Sequence, residues 1–179
     1  MKRIRMTAWI AFAIAVCIYG AMTIWTLPAI SEAAGGLAPF DMRPGGYSFA
    51  EAQAFLAALS TQGREIYLGP QQRLDLVYPA ALALALGISL YLLAPFNRFW
   101  KGLLALIPAL GMVFDYLENA AVRTMLLAGS SGLQPEQVET ASRFTTAKVI
   151  FDSAGYGLVL VFLILWALRR WRNASAPRA

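Results

Sequence analysis

The chain has 179 residues, of which 59% are hydrophobic and 14% charged, against about 25% charged in an average soluble domain. It contains no histidine and a single cysteine, which excludes His-ligated haem, His-based zinc or copper sites, an internal disulfide and a CxxC redox pair. The formal charge of +5 does not point to nucleic acid, because the basic residues sit where membrane topology uses them.

Continuity of the apolar runs sets the architecture. No charge lies between Arg5 and Glu32, or between Asp75 and Arg98, so each run supplies the roughly 20 residues that a helix needs to cross hydrocarbon. The first spanning helix is expected over residues 6–27, ending near Pro28, with Trp25 at interfacial height. A cleaved signal peptide is the rival reading of this segment, but its apolar stretch exceeds the 7 to 15 residues of a typical h-region.

The next segment is rich in glycine and proline (Gly35, Gly36, Pro39, Pro44, Gly45, Gly46) and then becomes periodic. Ser48 and Glu51 have the spacing of a capping box. Phe49, Ala52, Phe55, Leu56 and Leu59 follow at helical intervals, and Gly63 suits a C-cap. A short amphipathic helix is expected over residues 49–62, lying on the bundle or on the outer membrane surface.

A second spanning helix is expected over 71–93 and a third over 102–127, antiparallel neighbours across a short loop. The fourth opens at Pro135, a favoured first-turn residue, and runs to about residue 171. The apolar runs Gly102 to Phe114 and Ser153 to Leu168 are each too short to span alone, so these helices must carry charged residues into the bilayer. Residues 1–179 thus read as one all-α membrane domain: a four-transmembrane-helix bundle with a short amphipathic helix in the outer loop. Lys2, Arg3, Arg5, Arg98, Lys101, Arg169, Arg170, Arg172 and Arg178 place both termini and the loop between helices two and three on the cytoplasmic side. The location that follows is a bacterial inner membrane.

The charged residues within the spans form a pattern. Asp115, Glu118, Asn119 and Val122 share one helical face with Arg123 at its edge, as do Thr145, Lys148, Asp152 and Tyr156; Asp75 and Tyr78 start a matching stripe on helix two. A rise of about 1.5 Å per residue from the cytoplasmic ends puts Asp115 at roughly 20 Å, Glu118 and Asp152 at roughly 24 Å, and Asp75, Lys148 and Arg123 near 30 Å. Two layers are therefore expected. The outer pairs Asp75 and Glu118 with Arg123 and Lys148, and the inner holds Asp115 and Asp152 with no basic residue at their level.

A charge at mid-bilayer costs at least about 2.5 to 3.5 kcal/mol and marks a functional site by default. The candidate ligand-binding residues are Asp75, Tyr78, Asp115, Glu118, Asn119, Arg123, Thr145, Lys148 and Asp152, lining an outward-facing polar pocket for a small polar or amphipathic ligand. No cofactor is expected, and Lys148 and Arg123 beside the carboxylates argue against a metal. The plainer reading is that these groups only hold helices together, although such contacts average about 0.6 kcal/mol each in membranes. Two other functions stay open. One is an accessory subunit of a larger membrane complex, docked through small residues such as Ala81, Ala85 and Gly87. The other is a lipid- or isoprenoid-modifying enzyme using buried carboxylates as acid and base. Membrane lipid is the expected partner in every case, and nucleic acid in none.

The strings GYSFAEAQAFLAAL, LDLVYP and FDYLEN, with the TxxK from Thr145 to Lys148, resemble an uncharacterised bacterial family of small four-helix integral membrane proteins. The likeness covers Gly46 to Asp152, and FDYLEN in the third helix is its most specific string. It implies no activity.

Overall fold

In a computed structural model, residues 2–175 are described, with side chains described to residue 173. Arg178 and most of the polar tail that follows the fourth helix lie outside these residues. The described chain is helical, without a β-strand. Helix α1 is a continuous path over Lys2–Ala33, the amphipathic α2 covers Phe49–Ala58, α3 is continuous over Thr61–Leu93, α4 covers Arg98–Gly132 and α5 covers Pro135–Ser175. By length and composition α1, α3, α4 and α5 are able to cross a membrane.

All four outrun their expected bounds. Pro28 does not stop α1, and Pro70 lies inside α3, because each follows or sits in a wide π turn, Met22–Thr26 and Tyr67–Gln71. A wide turn gives the proline ring room that a regular α turn denies it. The expected helix over 49–62 is therefore two pieces. Its first part, α2, has the capping box, with the Ser48 amide donating to Glu51 Oε2 at 2.8 Å and the Glu51 amide to Ser48 Oγ at 3.3 Å. Its last residues open α3 instead, with Ser60 as N-cap. Gly63 is not a C-cap: it is buried inside that first turn against Ala33 and Leu59, where a Cβ would collide.

Helix α4 begins at Arg98, with Asn97 as its cap, rather than at 102. Near its other end Gly129 takes φ 69° and breaks the helical path, a conformation that glycine adopts without steric cost. The Leu126 carbonyl just before this break accepts from Arg64 Nη1 at 2.6 Å, which satisfies one of the orphan acceptors of a helix end.

Helix α3 is the centre of the bundle, packing against α1, α4 and α5, while α4 and α5 also pack along each other. At the pole away from the termini sits a compact cap. Phe40, Tyr47, Ala52, Phe55, Leu56 and Tyr67 are buried there against Ile30, Val122, Met125, Leu126, Val138 and Ala141. Phe40 is its hub, with ring centroids 4.7 Å from Tyr47 and 4.8 Å from Phe55. Arg43 lies over the Phe40 and Phe55 rings and donates to the Ala38 carbonyl. Helix α2 thus lies on the bundle, with its apolar face turned into this core.

Candidate functional site

Directly beneath the cap, α4 and α5 meet through polar side chains. Glu118 is fully buried, Thr145 is 1% exposed and Asp115 5% exposed. Thr145 Oγ1 donates to Glu118 Oε1 at 2.6 Å, and the Lys148 ammonium pairs with Glu118 Oε2. The same ammonium lies 3.8 Å from Asp115 Oδ2, while Asn119 Nδ2 donates to Asp115 Oδ1 at 3.0 Å. Helical spacing accounts for each pair: Asp115 and Asn119, like Thr145 and Lys148, are one turn apart and stand above one another.

The Glu118–Lys148 pair is as expected, but two members of the expected layers are misplaced. Lys148 bridges Asp115 and Glu118, so Asp115 has a cationic neighbour after all. Because α4 starts at Arg98, counting from there lifts Asp115 to about 26 Å and Glu118 to about 30 Å, level with Lys148. Arg123 is not in the layer. Its side chain is exposed and donates to Gln72 Oε1 at 2.8 Å, and Asp75 is left without it.

Asp75 is 4% exposed, and among the described residues no ammonium or guanidinium is within ion-pair distance of it. Its carboxylate accepts from Gln71 Nε2 at 3.0 Å, and Gln71 Oε1 in turn accepts from Thr26 Oγ1. The relay joins the two wide turns of α1 and α3, which lie side by side. Neither Thr26 nor Gln71 was legible as a site residue, because each is a single polar position in an apolar or mixed run.

The cap adds three more polar groups. Tyr67 donates its hydroxyl to Asp41. The Tyr47 hydroxyl is buried beside Thr145 and Glu118 without a hydrogen-bond partner of good geometry. Burial holds this phenol well above its ordinary value, and the nearby Glu118 carboxylate pushes the same way. The loop that carries Tyr47 is hooked onto α5, where the Tyr47 amide donates to Ser142 Oγ at 2.9 Å. Adjacent Gly46, at φ 81°, touches the same hydroxyl so closely that a Cβ would collide with it.

Asp152 and the tyrosines lie one to two turns nearer the termini. Asp152 is half-buried and, among the described residues, makes no hydrogen bond or ion pair. Its carboxylate occupies the space left by Gly111 on α4, where a Cβ would overlap Asp152 Oδ1. Tyr78 and Tyr156 place their hydroxyls 3.4 Å apart, and Tyr78 stacks on Tyr19 of α1.

Comparison with known proteins gives no relative. No family model, curated protein or solved structure matches the chain. The chemistry of the site must therefore be read from its own groups. Four carboxyl groups, Asp75, Asp115, Glu118 and Asp152, stand in or beside a layer whose sole ammonium among the described residues is Lys148. No three of the described carboxylate or thiol groups converge as metal ligands would.

Proposed function

We propose that this chain is a multi-pass protein of a bacterial inner membrane, both termini cytoplasmic, that binds a small polar or amphipathic ligand carrying a positive charge in the polar layer beneath the cap. The observation that carries this reading is the surplus of carboxyl groups over cations in a dry place, Asp75 above all. An uncompensated charge there costs at least about 2.5 to 3.5 kcal/mol, and a cationic head group would offset that cost where the protein's own side chains do not. The aromatic cap that covers the layer favours a site shielded from bulk water on that side.

The test uses the full chain in phosphatidylcholine nanodiscs, titrated with ethanolamine, choline and dodecylamine. At least one amine should bind saturably, and Asp75→Asn and Asp115→Asn should each weaken it at least tenfold while circular dichroism stays unchanged. Unaltered affinity in both variants, or equal binding of dodecyl sulfate, would sink the proposal.

A second reading rests on a different feature. A groove of about 450 Å³ over α3 and α4 is lined by Ala80, Ala83, Gly87, Ala105 and Ala109 together with larger groups such as Leu84 and Tyr91. Its small residues let another helix approach closely, which favours a docked membrane partner, whereas Ala81 and Ala85, expected to dock one, are buried in the bundle. Co-purification from mild detergent, abolished by Ala83→Phe, would support it; a partner-free monomer would not.

A further inference from the structure

The half of the bundle nearer the termini is positive throughout. Residues 1–31, 76–114 and 153–179 contain lysine and arginine but no aspartate or glutamate, and among the described residues none of these cations makes an ion pair. Membrane topology accounts for such charges in bulk. It does not account for where Lys101 is held. Its ammonium lies over the Tyr91 ring, 6.0 Å from the centroid, and Tyr91 is the lining residue nearest the end of α3 in the groove of about 450 Å³ over α3 and α4. Lys101 stands one turn before Ala105, on the face that α4 turns to the groove, and Arg3 and Arg5 flank Ile4, which α1 contributes to the lining. Exposed Phe99 and Trp100 beside Lys101 are aromatics of the kind that sit at head-group height.

From Tyr91 the groove runs along α3 through Ile88 and Leu84 to Ala80, a path of about 16 Å at about 1.5 Å per residue. Half of a hydrocarbon core about 30 Å thick is about 15 Å, so the groove is one leaflet deep. Apart from the Tyr91 hydroxyl its lining side chains are apolar. Its floor is buried at Ala83 and Gly87, where α3 and α4 come so near that a Cβ on Gly87 would lie 3.3 Å from the Ala105 carbonyl.

We infer that this groove holds an acyl chain of an anionic phospholipid from the leaflet at the terminal pole, with the phosphate at Lys101 and at the mouth shared by Arg3 and Arg5. Charge selects the head, because the pole offers ammonium and guanidinium groups and no carboxylate to repel a phosphate, and basic pockets between membrane helices hold anionic head groups in this way. The Tyr91 hydroxyl adds a donor at the same height. Length selects the tail. A chain of the near leaflet fills the groove from end to end, whereas a spanning helix docked there would be covered over only half of its length. The site is separate from the amine site under the cap: it lies at the opposite pole and carries the opposite charge.

The experiment is native mass spectrometry of the full chain released from neutral detergent micelles, titrated with dipalmitoyl phosphatidylglycerol or dipalmitoyl phosphatidylcholine. Phosphatidylglycerol should form a saturable one-to-one adduct at least tenfold tighter than that of phosphatidylcholine. Lys101→Gln should weaken this adduct about fivefold, the worth of one basic residue at a head group, and Lys101→Arg should restore it. Ala83→Phe, which fills the groove, should weaken it at least tenfold with unchanged circular dichroism. If that variant fails to fold, Ala80→Phe at the exposed inner end should still weaken it measurably. Equal affinity for the two lipids, or an adduct indifferent to Lys101→Gln, overturns the choice of head. An adduct indifferent to the groove variants reduces the effect to surface charge and overturns the site. A protein that co-purifies and is not displaced by phosphatidylglycerol overturns it in favour of a docked helix.

Discussion

Replacing Lys148 with methionine keeps most of the side chain's shape and removes the ammonium that serves both Asp115 and Glu118. At 3.8 Å and an effective dielectric constant of about 20, the Asp115 contact alone amounts to about 4 kcal/mol of Coulomb energy. The closer Glu118 pair adds to it, and desolvation of the three groups takes much of the sum back. What the substitution exposes is the asymmetry of a broken pair, because two carboxylates remain buried side by side without a cation. Losses of about 3–5 kcal/mol are the rule for such a change. The measurement is unfolding by sodium dodecyl sulfate in mixed micelles, followed by circular dichroism, for K148M, E118Q and the double variant. Removing the Glu118 charge should cost less in the K148M background than in the wild type, with a coupling energy between about 0.5 and 3 kcal/mol. A K148M loss below about 1 kcal/mol, or equal E118Q effects in both backgrounds, would refute the idea that this lysine holds α4 and α5 together.

Other expectations follow from the cap and from the glycine contacts. Hydrogen bonds from the Ser48 hydroxyl and amide hold the Glu51 carboxyl below its ordinary value, so the folded state binds fewer protons than the unfolded one. The contribution of this capping box is present above the ordinary carboxylate range and is lost as pH falls through the depressed folded value. Amide exchange over residues 49–58 should therefore accelerate in acid beyond its intrinsic pH dependence, and Glu51→Gln should abolish that excess. Gly111→Ala pushes a methyl group into Asp152 and should cost about 1–3 kcal/mol as an overpacked contact; the same micelle unfolding assay reads it, and Asp152→Ala in the same chain should recover part of the loss. Phe40→Ala empties the hub of the cap and should cost about 3–5 kcal/mol, seen as a lowered unfolding midpoint. A cap that loosened without lowering that midpoint would mean that it folds apart from the bundle.

Two of the four spans were legible because a membrane imposes a simple condition on sequence: runs such as Arg5 to Glu32 carry no charge at all, and the other two followed from apolar runs that reach spanning length only by continuing through charged positions. The capping box was equally legible, since Ser48 and Glu51 act within one turn. What stayed hidden depends on contacts between distant segments. Phe40 and Tyr47 look like ordinary aromatics of a glycine-rich loop until they are seen packed on Phe55 and Tyr67. The helix ends misled as well. Pro28 looked like a stop and the second span looked as if it began only at residue 71, yet wide turns absorb the rings of Pro28 and Pro70 and both helices run through. Starting α4 four residues too late displaced Asp115 and Glu118 by one turn and put Asp115 in an inner layer that holds Asp152 alone. Arg123 was drawn toward the carboxylates by its helical face alone, and the exposed edge it occupies serves Gln72 instead.

The paired wide turns Met22–Thr26 and Tyr67–Gln71 have one more consequence. Each inserts an extra residue into its helix, and one residue is worth about 100° of rotation. They act as phase adjusters. On the cap side of them Ile30 and Ile66 pack in the aromatic core, while on the terminal side Ala15 and Leu82 pack in the bundle seam. One chain thereby satisfies two differently oriented interiors with two continuous helices. Deleting Gly69 would restore a regular turn and swing the whole terminal side of α3 out of phase with its cap, carrying Asp75 and Tyr78 away from their partners together.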